Sequence, residues 1–185
     1  MVWGQIYHEI TKEDVPGAEL LSITATLYYG PGQGKPRSAE ASLHLLREEC
    51  KSFNRPRQIS VRLLDVARKL VDLHGSPHLG PVTEILHARL LAVAITSAAG
   101  VDDNERCKLL ERWERVTFRI FGLFDKDART KLGDYVRLAS KIVTNDIETR
   151  TYNQIMIGLR ELGADYPIEQ ALEERLVGGV FYDYP

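Results

Sequence analysis

Four groups of residues in this chain have types and spacings that could do chemistry. The stretch Gly30-Pro31-Gly32-Gln33-Gly34-Lys35-Pro36 contains the Gly-Lys pair that closes a phosphate loop. That loop needs Gly-x-x-x-x-Gly-Lys followed by Ser or Thr, so that backbone amides cradle the phosphates and a hydroxyl reaches magnesium. Here the first glycine position holds Tyr29. The hydroxyl position holds Pro36, which has neither a hydroxyl nor an N–H to give. Both defects strike essential parts, and a plain surface loop is the expectation. His74 and His78 have ligand spacing but flank Gly-Ser-Pro, a breaker-rich turn, with no third His or Cys nearby for zinc. Glu84 and His87 form a Glu-x-x-His pair of the kind found in di-iron bundles. That design needs a second such pair and two further glutamates on facing helices, and the chain shows no second pair, so a satisfied buried polar contact is expected. No nucleophile elbow marks an acyl-transfer site. The residues therefore assign no catalytic group, metal or cofactor.

The fourth group is the most informative. Lys108, Arg112, Arg115 and Arg119 recur at i, i+4, i+7 and i+11, one basic ridge along a helix. Such a ridge can follow a phosphate backbone, where each neutralised phosphate releases counterions. The competing reading is an intramolecular ion-pair face. Glu111 and Arg115 stand at i, i+4, Arg stems cover apolar surface, and Asp134 and Glu148 offer acids from neighbouring helices. Lys108, Arg112 and Arg115 are the candidate nucleic-acid contacts.

The elements that position these groups read as helices. Ile59, Leu63, Val66, Leu70 and Leu73 keep one apolar face, opposite Arg62, Asp65, Arg68 and Asp72. Residues 82–98 are apolar almost all round and follow Gly80-Pro81, as a central buried helix would. Asp102 or Asp103 can cap the next helix, whose seam is Leu109, Trp113, Val116 and Ile120. Leu132, Tyr135, Ala139 and Ile142 mark another, and two short helices at 150–162 and 167–177 follow, divided by Gly163 as a C′ glycine and by Pro167. Ser38 is a plausible N-cap for a helix reaching toward Phe53. Residues 20–29 suit either a strand or a helix, and the helical spacing of Leu20, Ile23 and Leu27 together with helical neighbours favours helix. The expected fold is all-α, a single domain over 1–185 built as an array of about seven or eight helices. Residues 1–37 form its less regular N-terminal portion, broken at Pro16-Gly17 and at the 30–36 loop.

Composition agrees: 185 residues, 44% hydrophobic and 27% charged, suffice for a core without disulfides or metal. The formal net charge of −2 gives no global attraction to nucleic acid, though a local patch remains open. Cys50 and Cys107 form no CxxC pattern. No apolar run approaches the ~20 residues of a membrane span, and Met1–Gln5 lacks the features of a signal peptide. A cytoplasmic location without membrane association is expected.

Three stretches together carry a resemblance: Leu79 to Ile95 (LGPVTEILHARLLAVAI), Glu111 to Leu123 (ERWERVTFRIFGL) and Tyr135 to Ala139 (YVRLA). In this order they resemble the helical middle of GmrSD-type proteins, a bacterial family of modification-dependent restriction and phage-defence factors. Leu20–Tyr29 with Ala41–Cys50 also resembles that region. In the family an N-terminal ParB-like domain with an Asp-Gly-x-Gln-Arg motif is associated with nucleotide hydrolysis, and many members add a His-Asn-His nuclease. Neither motif occurs in this chain. The resemblance therefore implies a non-catalytic helical module, as a fragment or split part, whose partners would be the NTPase and nuclease domains of the same system and DNA. Two alternatives stand beside it. One is a stand-alone helical protein-interaction domain. The other is a metal-dependent nuclease using Glu84, Glu111 and Glu114.

Overall fold

A computed structural model of the chain describes residues 2–52, 55–76, 85–144, 151–169 and 173. Among the described residues there are eight α-helices and no strand: α1 (Val2–Ile10), α2 (Gly17–Tyr29), α3 (Ala39–Glu49), α4 (Arg55–His74), α5 (Leu86–Thr96), α6 (Asp103–Phe118), α7 (Leu132–Val143) and α8 (Tyr152–Leu162). The fold is all-α, as expected, and residues 20–29 are helical. None of these helices is long and apolar enough to cross a membrane.

Local chemistry explains most of the boundaries. The Ser38 hydroxyl accepts from the Ala41 amide and starts α3. Asp102 starts α6 with a full capping box: its side chain accepts from the Glu105 amide, and Glu105 reaches back to the Asp102 amide. α5 is the central element and packs against α2, α4, α6 and α7. Every residue from His87 to Ile95 except Arg89 is buried, which is why its sequence shows no polar face. Trp113 of α6 is fully buried, and its indole N–H donates to the Ala88 carbonyl at 3.0 Å, so the seam closes without an orphaned donor. α1 packs on α4, and α8 packs on α6 and α7.

Three details differ from the sequence expectation. The N-terminal portion is regular: Val2, Ile6 and Ile10 fall at i, i+4 and i+8 and dock α1 on α4. α5 begins at Leu86, after Ile85 in an extended conformation. The expected start at 82–84 lies outside the described residues, as does most of the expected helix at 167–177. Gly163 ends α8 with φ −94°, so it does not supply a left-handed turn. Its role is proximity, since a Cβ there would lie 3.3 Å from both methyls of Val116 in α6.

Candidate nucleic-acid interface

α6 presents its basic residues on the side away from Leu109, Trp113 and Val116, which are buried. Lys108 and Arg115 are exposed and Arg112 is half-buried. Arg119 leaves the α-helical register, because residues Arg119–Leu123 form a π-helical turn with the Phe124 amide donating to the Arg119 carbonyl at 3.0 Å. The Arg119 guanidinium then donates to the Tyr166 carbonyl at 3.1 Å, beyond the end of α8.

The ridge is only partly compensated. Arg115 has a single partner, Glu111, at 3.8 Å on an exposed turn. Arg112 has no carboxylate within ion-pair distance among the described residues, and its Nε is buried without a hydrogen-bond partner. Its guanidinium is held below the usual arginine range, first by burial and then by the positive charges of Arg119, Arg160 and Arg115. Asp134, one of the acids expected to neutralise the ridge, belongs elsewhere: it pairs with Arg137 at 3.1 Å and Lys131 at 3.7 Å within α7. Glu148, the other, lies outside the described residues. Arg160 joins the cluster from α8; no spacing within α6 could have revealed it, because only the packing of α8 on α6 places it there.

The remaining candidates separate in space. His74 meets Arg89 at 3.3 Å, and burial and that neighbouring charge hold its imidazole below its usual value, which suits a polar contact inside the fold. His78 and Glu84 lie outside the described residues. His87 is buried between the Tyr135 and Phe121 rings, with ring centroids 4.9 and 5.7 Å away. Burial lowers its pKa from 6.5 to about 4, and a hydrogen bond to the Thr130 backbone opposes that shift in part. Its Nε2 has no partner among the described residues, so the contact is only partly satisfied. Beside it the Tyr135 hydroxyl lies 3.0 Å from the Thr117 hydroxyl. Of the carboxylates in the nuclease alternative, Glu111 is engaged by Arg115, and no group of three His, Cys, Asp or Glu residues suited to a metal forms among the described residues. Cys50 and Cys107 are exposed free thiols.

Compared with protein families, with curated proteins and with solved structures, the chain matches none.

Proposed function

We propose that this chain is a non-catalytic helical module of a GmrSD-type restriction or phage-defence protein, associated with a ParB-like NTPase domain and a nuclease domain, and that it helps to position DNA through α6. The resemblance of residues 79–95, 111–123 and 135–139 supports the family, and the helical character of the described parts of those stretches agrees with it. The observation that carries the DNA role is the state of Arg112. A half-buried guanidinium surrounded by Arg115, Arg119 and Arg160, without a carboxylate, is an unfavourable arrangement in the free protein. A phosphate brought against Lys108, Arg112 and Arg115 relieves it and releases counterions as well.

The test is fluorescence anisotropy with duplex DNA, with and without modified bases, over about 50 to about 200 mM salt. The triple variant Lys108→Gln, Arg112→Gln, Arg115→Gln is expected to bind more weakly. Its slope of log affinity against log salt should be shallower by about 0.9 for each phosphate contact removed. An unchanged slope removes the interface.

A second reading, a stand-alone protein-interaction domain, has one observation in its favour. Trp3 and Tyr7 of α1 are 62% and 70% exposed beside an almost wholly apolar groove formed with Ile10, Leu21 and Leu63. Concentration-dependent association in sedimentation, together with no DNA binding at low salt, would favour that reading over the first.

A further inference from the structure

The Gly30–Pro36 loop fails as a phosphate loop in sequence, yet the fold puts it to a different use. Its tip, Pro31 and residues 33–35, faces α7 across an open cleft of about 660 Å³. Lys35, Arg129, Arg137 and Lys141 line this cleft, and among the described residues no carboxylate does. Lys35 and Arg129 are exposed and pair with no carboxylate among the described residues, whereas Arg137 shares Asp134. Between the cations, the partly exposed Leu132 presents apolar surface beside Gly133, with Val136 buried beneath.

The loop is held in place before any ligand arrives. Gly32 and Lys35 exchange backbone hydrogen bonds of 2.9 and 3.1 Å around a tight turn, with Gln33 at φ 53° and Gly34 at φ 76°. Arg37 ties the loop to its own base, donating from Nε to the Gly30 carbonyl at 2.7 Å. Its backbone is anchored on α2: the amide donates to the Thr26 hydroxyl at 2.9 Å, and the carbonyl accepts from the Ser22 hydroxyl at 2.5 Å. Lys35 is thus displayed on a preorganised hairpin, which lowers the ordering cost of binding.

We propose that this cleft binds an organic phosphate, a di- or triphosphate carried on an aromatic or apolar group. The phosphates would lie between Lys35 and Arg129, and the ring would lie on Leu132 beside Gly133. The volume falls within the roughly 300–1,000 Å³ of small-ligand pockets. Lys35 and Arg129, two exposed cations that pair with no carboxylate among the described residues, favour an anion of more than one charge. The apolar strip has no counterpart on a bare inorganic anion. Among the described residues no carboxylate lines the cleft to activate water, and Pro36 stands where a phosphate loop has its magnesium-binding hydroxyl, so the assignment is of binding.

The test is isothermal titration of the full chain with ATP as probe, beside inorganic triphosphate and adenosine. Saturable ATP binding is expected, weaker for triphosphate and weakest for adenosine. Lys35→Gln with Arg129→Gln should reduce ATP affinity about tenfold or more, while Lys108→Gln with Arg115→Gln should leave it unchanged. Gly133→Leu supplies a second probe. A Cβ at Gly133 meets nothing within 4 Å, so the larger side chain should fold, fill the cleft and reduce binding. The proposal falls if ATP gives no saturable heat, or if the Lys35/Arg129 variant binds it as tightly as the parent. It falls also if triphosphate matches ATP, or if duplex DNA displaces ATP and loses affinity in that same variant.

Discussion

Arg89 and Arg112 stand on adjacent helices, α5 and α6, and both are partly withdrawn from water. Arg89 lies with its Nε 2.9 Å from the Glu19 carboxylate of α2, and both side chains are largely buried. Arg112 stands near Arg115, Arg119 and Arg160, with no carboxylate at ion-pair distance among the described residues. The first arrangement ties two helices together; removing either partner would take a close counter-charge from a largely buried group. The second adds no attraction between helices by charge. The same residue type therefore serves cohesion in one region and stands among like charges in the other. Counter-charge supplied by a neighbouring helix makes the difference.

The largest expected effect breaks the matched side of this comparison. Glu19→Ala takes the α2 carboxylate away from the largely buried Arg89 and should lower unfolding stability by as much as about 3–5 kcal/mol, read as the urea midpoint, with the slope of DNA affinity against salt unchanged. A midpoint near that of the parent would show that the pair contributes little.

The second effect concerns His87, the neutral polar group beside the same core. The folded pKa of about 4 lies below the unfolded 6.5. Above pH 6.5 the ring is neutral in both states and has no linkage effect. As pH falls from 6.5 toward 4, the unfolded chain takes up the proton first, so stability is lost through that window, by on the order of 3 kcal/mol in full. His74 is shifted in the same direction, and burial pushes the Glu19 carboxyl up, which acts with the opposite sign. The difference between the parent and His87→Phe isolates the His87 contribution. If the two lose stability in parallel between pH 7 and pH 4, the ring does not titrate as described.

The smallest effect sharpens the unmatched side. Arg112→Gln removes one member of a repelling cluster. It should raise stability at low salt by only about 0.2–1 kcal/mol, since the neighbouring Arg115 and Arg160 are exposed and their charges well screened. The gain should vanish in about 0.5 M salt. A loss of stability at low salt would mean that Arg112 has a favourable intramolecular role after all.

Much of the fold was legible from residues a few positions apart. The Ile59–Leu73 stripe, the Leu109–Ile120 seam, the caps at Ser38 and Asp102 and the all-round apolarity of α5 rest on contacts within one or two turns, and the structure keeps them. α1 was overlooked although Val2, Ile6 and Ile10 carry the period, because a short stripe of three residues acquires its helix only by docking on α4. The basic ridge was legible as a pattern, but its electrostatic state was not. Glu111 and Arg115 pair weakly, as their spacing allows, while Asp134 turns to Lys131 and Arg137 in its own helix.

By itself, then, the sequence determined the helical class, most helix starts and stops and the buried faces, because hydrogen bonding, capping and amphipathic period act over separations of three or four residues. Only the tertiary structure decided which charges meet. Glu19 reaches Arg89, Arg160 joins Arg112, and the Gly30–Pro36 hairpin faces α7, all between residues far apart in the chain. Coulombic and desolvation energies depend on distance and burial in space, and no periodicity along the chain encodes either.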